Sequence, residues 1–195
     1  GKHPTCDIVP LPATKFTNAK ALGADNKRQG ILLSTNCFPR YFYRFQDFRN
    51  YDNEAYFQWQ RRFMDTLPTA LRYATRVRLF VADMGNDCRE RWKDYDPGIK
   101  IEDWSMKFVD SMRLARLHVS DHLASTFIDG FIADKPTLLF WDPKVFQLRP
   151  SAEPYFDALR QAGILYDSPE AAASAAAGIY PDVETWWNDP VRQRA

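Results

Sequence analysis

Cysteine and histidine are scarce, three of each in 195 residues. Cys6, Cys37 and Cys88 form no CxxC pair, and His3, His118 and His122 are equally scattered. Neither a structural zinc site nor a disulfide framework fits that spacing, which favours a reducing, cytoplasmic setting. No surplus of one charge exists either: 26 Lys and Arg stand against 25 Asp and Glu. The chain is therefore not marked as a nucleic-acid binder. Its longest apolar runs, around VRLFVA and TLLFW, are the length of strands, too short to span a bilayer. GxGxxG and GxxxxGK[ST] are both missing, so a dinucleotide fingerprint and a P-loop are excluded. No DxD metal motif occurs. Gly1 stands where a start Met is expected and no signal-peptide pattern follows, so the chain reads as a piece of a longer protein.

What is present is one domain's worth of core-forming residues, with an aromatic share of 15%. Residues 1–29 mix proline, glycine and short polar runs without a sustained period, and read as a linker or arm. Residues 30–195 read as a single α/β domain. Short apolar runs predict strands at Ile31–Thr35, Arg76–Ala82, Ile99–Ile101, Leu117–Ser120, Thr137–Trp141 and Ile164–Tyr166. Between them, Tyr56, Trp59, Phe63 and Leu67 keep helical spacing, and Ser105, Ser125 and Ser151 open further helices. Ser168-Pro169-Glu170 is a helix start with N-cap, proline and first-turn acid in place, and VETWW reads as a terminal helix. Strands alternating with helices predict a doubly wound parallel sheet of about six strands. Ligands of such sheets bind at the carboxyl ends of the strands, where the strand order reverses.

The stretch Arg116–Pro143, RLHVSDHLASTFIDGFIADKPTLLFWDP, carries the most chemistry. It reads as strand, polar turn, helix, loop, strand. Ser125 and Thr126 fall in the first turn of the helix, where free N–H groups and about half a positive charge can hold a phosphate. Ser125 acting only as a helix cap explains the same residues.

The motif SxHxxSTFxDxxxxxKPTLLFWDP, with LRPSAEPYFDALRQAGILYDSPEAAA, DVETWWNDP, PRYxYRFQ and ERWKD, resembles the carboxyl-terminal part of a family of bacterial surface-carbohydrate transferases. More distantly, its ST…D…KP core is similar to teichoic-acid glycerophosphotransferases and other GT-B glycosyltransferases. The resemblance runs from about Leu11 to the end of the chain. It implies the Rossmann-like donor lobe of a two-lobed GT-B enzyme, with the acceptor-binding amino-terminal lobe missing from this chain. The donor would be a nucleotide-activated sugar, with no metal and no other cofactor. The work would be surface polysaccharide assembly (lipopolysaccharide or capsule), at the inner face of a bacterial membrane. A polyol-phosphate transferase using a CDP-glycerol-type donor, or a non-catalytic binding module, are the alternatives. Relatives carry Glu where this chain has Asp129, and some carry His-Pro where it has His122-Leu123.

Around the phosphate grip, His122 is placed to donate to an anion, or is a plain turn histidine. Asp129 lies one turn on and could bond a sugar hydroxyl or only loop amides; Asp121 is a lesser candidate of that kind. Asp142 closes the fifth strand at its carboxyl end, as a site residue or as an Asp-Pro turn. Arg40 and Arg44, with Tyr41, suit phosphate and ring recognition, or contact with another lobe. Arg91 is a further phosphate candidate, while Asp83 and Asp87 read as loop contacts. Asp103 stands where such lobes meet the base, or caps a helix. No catalytic residue is assigned, because the general base is expected in the missing lobe.

Overall fold

Leu32, Leu33, Leu117, Leu138 and their neighbours are wholly buried, which only a sheet covered on both faces achieves. The computed structural model describes residues 28–40 and 52–195. In it the strands are β1 (Ile31–Ser34), β2 (Arg76–Arg78), β3 (Lys100–Ile101), β4 (Leu117–Ser120), β5 (Thr137–Phe140) and β6 (Leu165–Tyr166). They form one sheet in the order 3-2-1-4-5-6. Every pairing is parallel. This is the expected doubly wound α/β arrangement, with its order reversing between β1 and β4.

The helices are α1 (Asn53–Thr66), α2 (Thr69–Ala74), α3 (Cys88–Tyr95), α4 (Phe108–Leu114) and α5 (Ser125–Ile132). They continue as α6 (Glu153–Gln161), α7 (Pro169–Ile179), α8 (Val183–Trp187) and α9 (Pro190–Arg194). Strand alternation divides them between the two faces. Ile31 and Leu33, Leu117 and Val119, and Leu138 and Phe140 pack with Phe63 and Met64 of α1 and Ala172, Ala173 and Ala176 of α7. Leu32 points the other way, to Met112 of α4, and Leu139 joins Phe127 of α5 and Leu159 of α6.

The phenyl rings of Phe63 and Phe140 stack at 4.9 Å. Burying one such side chain is worth about 1.5–3 kcal/mol, so this contact anchors α1 to the centre of the sheet. The alanines of α7 let it lie close to α1. Arg62 also forks onto Glu170 at 2.5 and 2.9 Å, but both groups are about half exposed. Such a surface pair contributes about 0–1 kcal/mol, so apolar packing holds these two helices. Ser168 caps α7 by accepting from the Ala171 N–H at 3.2 Å, as its sequence predicts.

Two expectations differ locally. The second strand ends at Arg78 rather than Ala82, because its partner β1 ends at Ser34 and no ladder remains to extend. Ser105 does not cap a helix: α4 starts after Lys107, and Ser105 bonds back to Asp103 instead. Cys37 and Cys88, distant in sequence, bring their sulfurs within 3.6 Å as free thiols. The expected arm over residues 1–29 lies almost wholly outside the described residues. Among the described residues no helix is long and apolar enough to cross a membrane.

His118 of β4 ties the second face together. Its Nε2 lies 3.1 Å from Ser34 Oγ and its Nδ1 3.4 Å from Thr137 Oγ1. α5 sits tightly over it: a Cβ at Gly130 would come 2.6 Å from Thr137 Oγ1 and 3.0 Å from His118 Nδ1. Burial, then the nearby Lys135 and His122, push the His118 pKa down to about 3. The unfolded chain therefore binds a proton that the folded chain refuses between pH about 6.5 and about 3. Stability should fall across that window as pH drops, by up to about 1.4 kcal/mol per pH unit. Urea unfolding from pH 7 to 4 checks this, with His118→Gln flattening the dependence by about one proton.

Candidate functional site

The reversal of strand order leaves the carboxyl ends of β1 and β4 side by side, Ser34 opposite Ser120. Beyond that pair the two chains diverge, and the residues that follow line a crevice, as such reversals do. After β4 come Asp121 and His122, and their side chains serve opposite sides of the strand.

Asp121 turns toward α1 and is 2% exposed. Its carboxylate accepts from Tyr56 Oη at 2.7 Å, Gln60 Nε2 at 2.8 Å and His122 Nδ1 at 2.8 Å. Three donors are what a buried carboxylate requires. Tyr56 in turn accepts from the backbone N–H of Asn36, just past β1, at 2.9 Å. Burial, and next the charge of Asp121, raise the Tyr56 hydroxyl well above its ordinary pKa, so it acts as a donor. Tyr56 and Gln60 are one helical turn apart, which lets both reach the same group.

His122 turns toward α5. A carboxylate can only accept, so the Nδ1 bonded to Asp121 carries a proton. Nε2 is left 3.3 Å from Thr126 Oγ1, at the wall of a cleft of about 300 Å³. There it can accept from a hydroxyl, or donate to an anion once protonated.

The cleft is bounded by Thr35 and Asn36 after β1, Arg78–Val81 after β2, Trp104 and Phe108 after β3, and Ala124–Thr126. Ser125 opens α5 and Ala124 is its N-cap residue, which has no side chain able to cap. The N-terminus of this eight-residue helix thus presents backbone donors and its partial positive charge to the cleft. Opposite stand aromatic and apolar surfaces, with Phe80 40% and Val81 70% exposed. Trp104 holds a left-handed backbone, φ 62°, and its indole N–H donates to the Leu79 carbonyl at 2.9 Å. A tryptophan in that conformation is strained, and its place at the cleft wall is where such strain concentrates. Arg78 reaches the cleft floor while donating to Glu102 at 2.8 Å and to the Met106 carbonyl at 3.0 Å.

The structure brings His122, Ser125 and Thr126 together on this cleft. Asp129 is half-buried farther along α5 and does not line it. Asp142 accepts from the Lys144 N–H at 2.8 Å and forms a turn beside a separate small cavity. Asp103 is exposed and lies next to cleft-lining Trp104, accepting from Ser105 N and Oγ, bonds that lower its pKa. Arg40 is exposed by the loop after β2, donating to the Gly85 carbonyl at 3.4 Å. Arg44 and Tyr41 lie outside the described residues. Arg91 pairs with Glu54 and covers the Phe57 ring, away from the cleft. Asp83 accepts from the N–H groups of Asn86, Asp87 and Cys88, a loop role. Among the described residues, no group of three or more His, Cys, Asp or Glu could hold a metal.

Sequence reasoning passed over Arg78, Phe80 and Trp104, and gave Asp121 a minor part. Phe80 was hidden in a run that reads as strand. For Asp121 a signal existed: an acid at the end of a wholly apolar strand, with Tyr56 and Gln60 in register on a helix.

A crevice at the strand-order reversal with a helix N-terminus in its wall suits an anionic group, and family membership agrees with group transfer. The chain belongs to the LIC12162 family transferases, the match covering residues 1–195. No curated protein matches it. For this transferase-family chain the cleft is the candidate substrate site, and the Asp121 network is what holds its walls in place.

Tyr56→Phe removes both a donor to Asp121 and the acceptor of the Asn36 N–H. It should destabilise the fold by about 1–3 kcal/mol, measured by urea denaturation.

Proposed function

We propose that this chain is the donor-binding lobe of a GT-B glycosyltransferase that uses a nucleotide-activated sugar in surface polysaccharide assembly. One observation carries the reading: the N-terminus of α5, with Ser125 and Thr126, opens onto the cleft at the β1/β4 reversal. Negative charge there gains from backbone donors, hydroxyls and the helix field at once. His122, held by Asp121 with Nε2 toward Thr126, adds a donor whose charge can be switched by protonation. Trp104 and Phe80 offer a flat apolar surface on the opposite wall, suited to a nucleobase.

In this reading, charge accumulates on the nucleotide phosphate as the bond to the sugar breaks. Donors fixed in advance around that oxygen lower the barrier without reorganising. The acceptor and the general base come from a second lobe, and the full enzyme works at the inner face of a membrane. No metal is needed, because the helix and His122 supply the positive charge.

Calorimetry or NMR with CMP, CDP, UDP, GDP and dTDP tests the reading. At least one should bind, and replacing Ser125 with Ala and Thr126 with Val should weaken it by about 1–3 kcal/mol with the fold intact. Binding confined to cytidine nucleotides would turn the assignment toward polyol-phosphate transfer. Silence from the whole panel would leave α5 as a plain helix start.

A further inference from the structure

On the other side of β4 from the cleft, next to Asp121, lies a smaller cavity of about 60 Å³. Tyr56 and Trp59 of α1, with Trp141 and Phe146 after β5, give it aromatic walls. Asp52, Asp121 and Asp142 supply its carboxylates. Each carboxylate is already fixed by donors. Asp52 accepts from the first N–H groups of α1 at 3.0 Å, Asp142 from the Lys144 N–H, and Asp121 from its three partners.

Trp141 is the anomaly. It is 1% exposed, yet its buried indole N–H has no hydrogen-bond partner among the described residues. The indoles of Trp104 and Trp187 do have partners, the Leu79 carbonyl at 2.9 Å and Asp134 at 2.8 Å. A buried donor left unsatisfied carries a desolvation cost that an incoming acceptor relieves.

Charge and hydrogen-bond character narrow the occupant. Three carboxylates repel a phosphate or any other anion. An ammonium would suit the acids and the aromatic rings, but it offers Trp141 no acceptor. A hydroxyl group meets both demands, because it donates to a carboxylate and accepts from an indole N–H. The aromatic walls favour a ligand whose hydroxyls are set on an apolar ring. A volume of about 60 Å³ holds about four to six water-sized sites, enough for one edge of such a ring and too little for a nucleoside.

The geometry points to a subsite for the edge of a neutral sugar ring, read by Trp141 and Asp121. It lies back to back with the phosphate cleft, since Asp121 borders the cavity and His122, its neighbour, borders the cleft. Its meaning for group transfer rests on the nucleotide-sugar reading, but its occupancy can be measured separately.

The readout is the Trp141 indole N–H signal in NMR spectra of the 15N-labelled chain, assigned by triple-resonance spectra and by its loss in Trp141→Phe. The methyl glycosides of glucose, galactose, mannose and rhamnose are titrated one at a time, with tetramethylammonium and UDP as separate arms. At least one glycoside should move the Trp141 signal downfield while those of Trp104 and Trp187 stay in place. Trp141→Phe, which keeps the ring and removes the hydrogen bond, should weaken that glycoside about three- to tenfold and leave UDP affinity unchanged. Glycosides that leave the Trp141 signal still, a response to tetramethylammonium alone, or equal glycoside affinity in the variant would each overturn the subsite. Glycoside binding with no nucleotide binding would instead sink the phosphate cleft and leave the subsite standing.

Discussion

A buried carboxylate with three donors stands at the centre of this structure. Asp121 ties together elements that meet nowhere else in the sequence: α1 through Tyr56 and Gln60, the end of β1 through Tyr56 and Asn36, and the α5 side through His122. Removing one donor leaves charge uncompensated in the interior, where the cost is high. The gap at the strand-order reversal is thereby held open at a fixed width rather than closed by apolar collapse. Both cavities at the carboxyl edge of the sheet depend on it.

Consecutive residues at the end of β4 face opposite sides, so one strand end serves two chemical environments. The His122 side has a helix N-terminus, hydroxyls and a flat aromatic wall, and is open to an anion. The Asp121 side has carboxylates and four aromatic rings, and is closed to one. For a substrate that joins a phosphate to an uncharged ring, the two sides divide the recognition by charge alone. The cores support this arrangement: Phe63 against Phe140 fixes α1, and Gly130 lets α5 approach the sheet closely enough to place Thr126 near His122.

Much of the fold was legible, because each strand is a buried apolar run and the helices announce themselves by spacing and caps. Ser168-Pro169-Glu170 starts α7 where its residues say it should. Ser125 and Thr126 at the start of α5 were equally readable, since the turn chemistry before them is local. The second strand read four residues too long, because Leu79 to Ala82 are as apolar as a strand and only the missing ladder partner stops them. That misreading concealed one wall of the cleft. Asp103, singled out as a candidate, bonds to Ser105 in a tight turn, while its neighbour Trp104 faces the cleft.

By itself the sequence determined the class of the sheet, the number of its strands, and the helix start that faces the cleft. These follow from periodicity and capping, which act over a few residues. Only the tertiary structure decided that Asp121 rather than Asp129 or Asp142 is the organising acid, and that Trp141 is left with an unpaired N–H. Those outcomes depend on which donors arrive from elements 61 and 65 residues away in the chain. Such arrivals are set by strand order and helix packing, which no local pattern encodes.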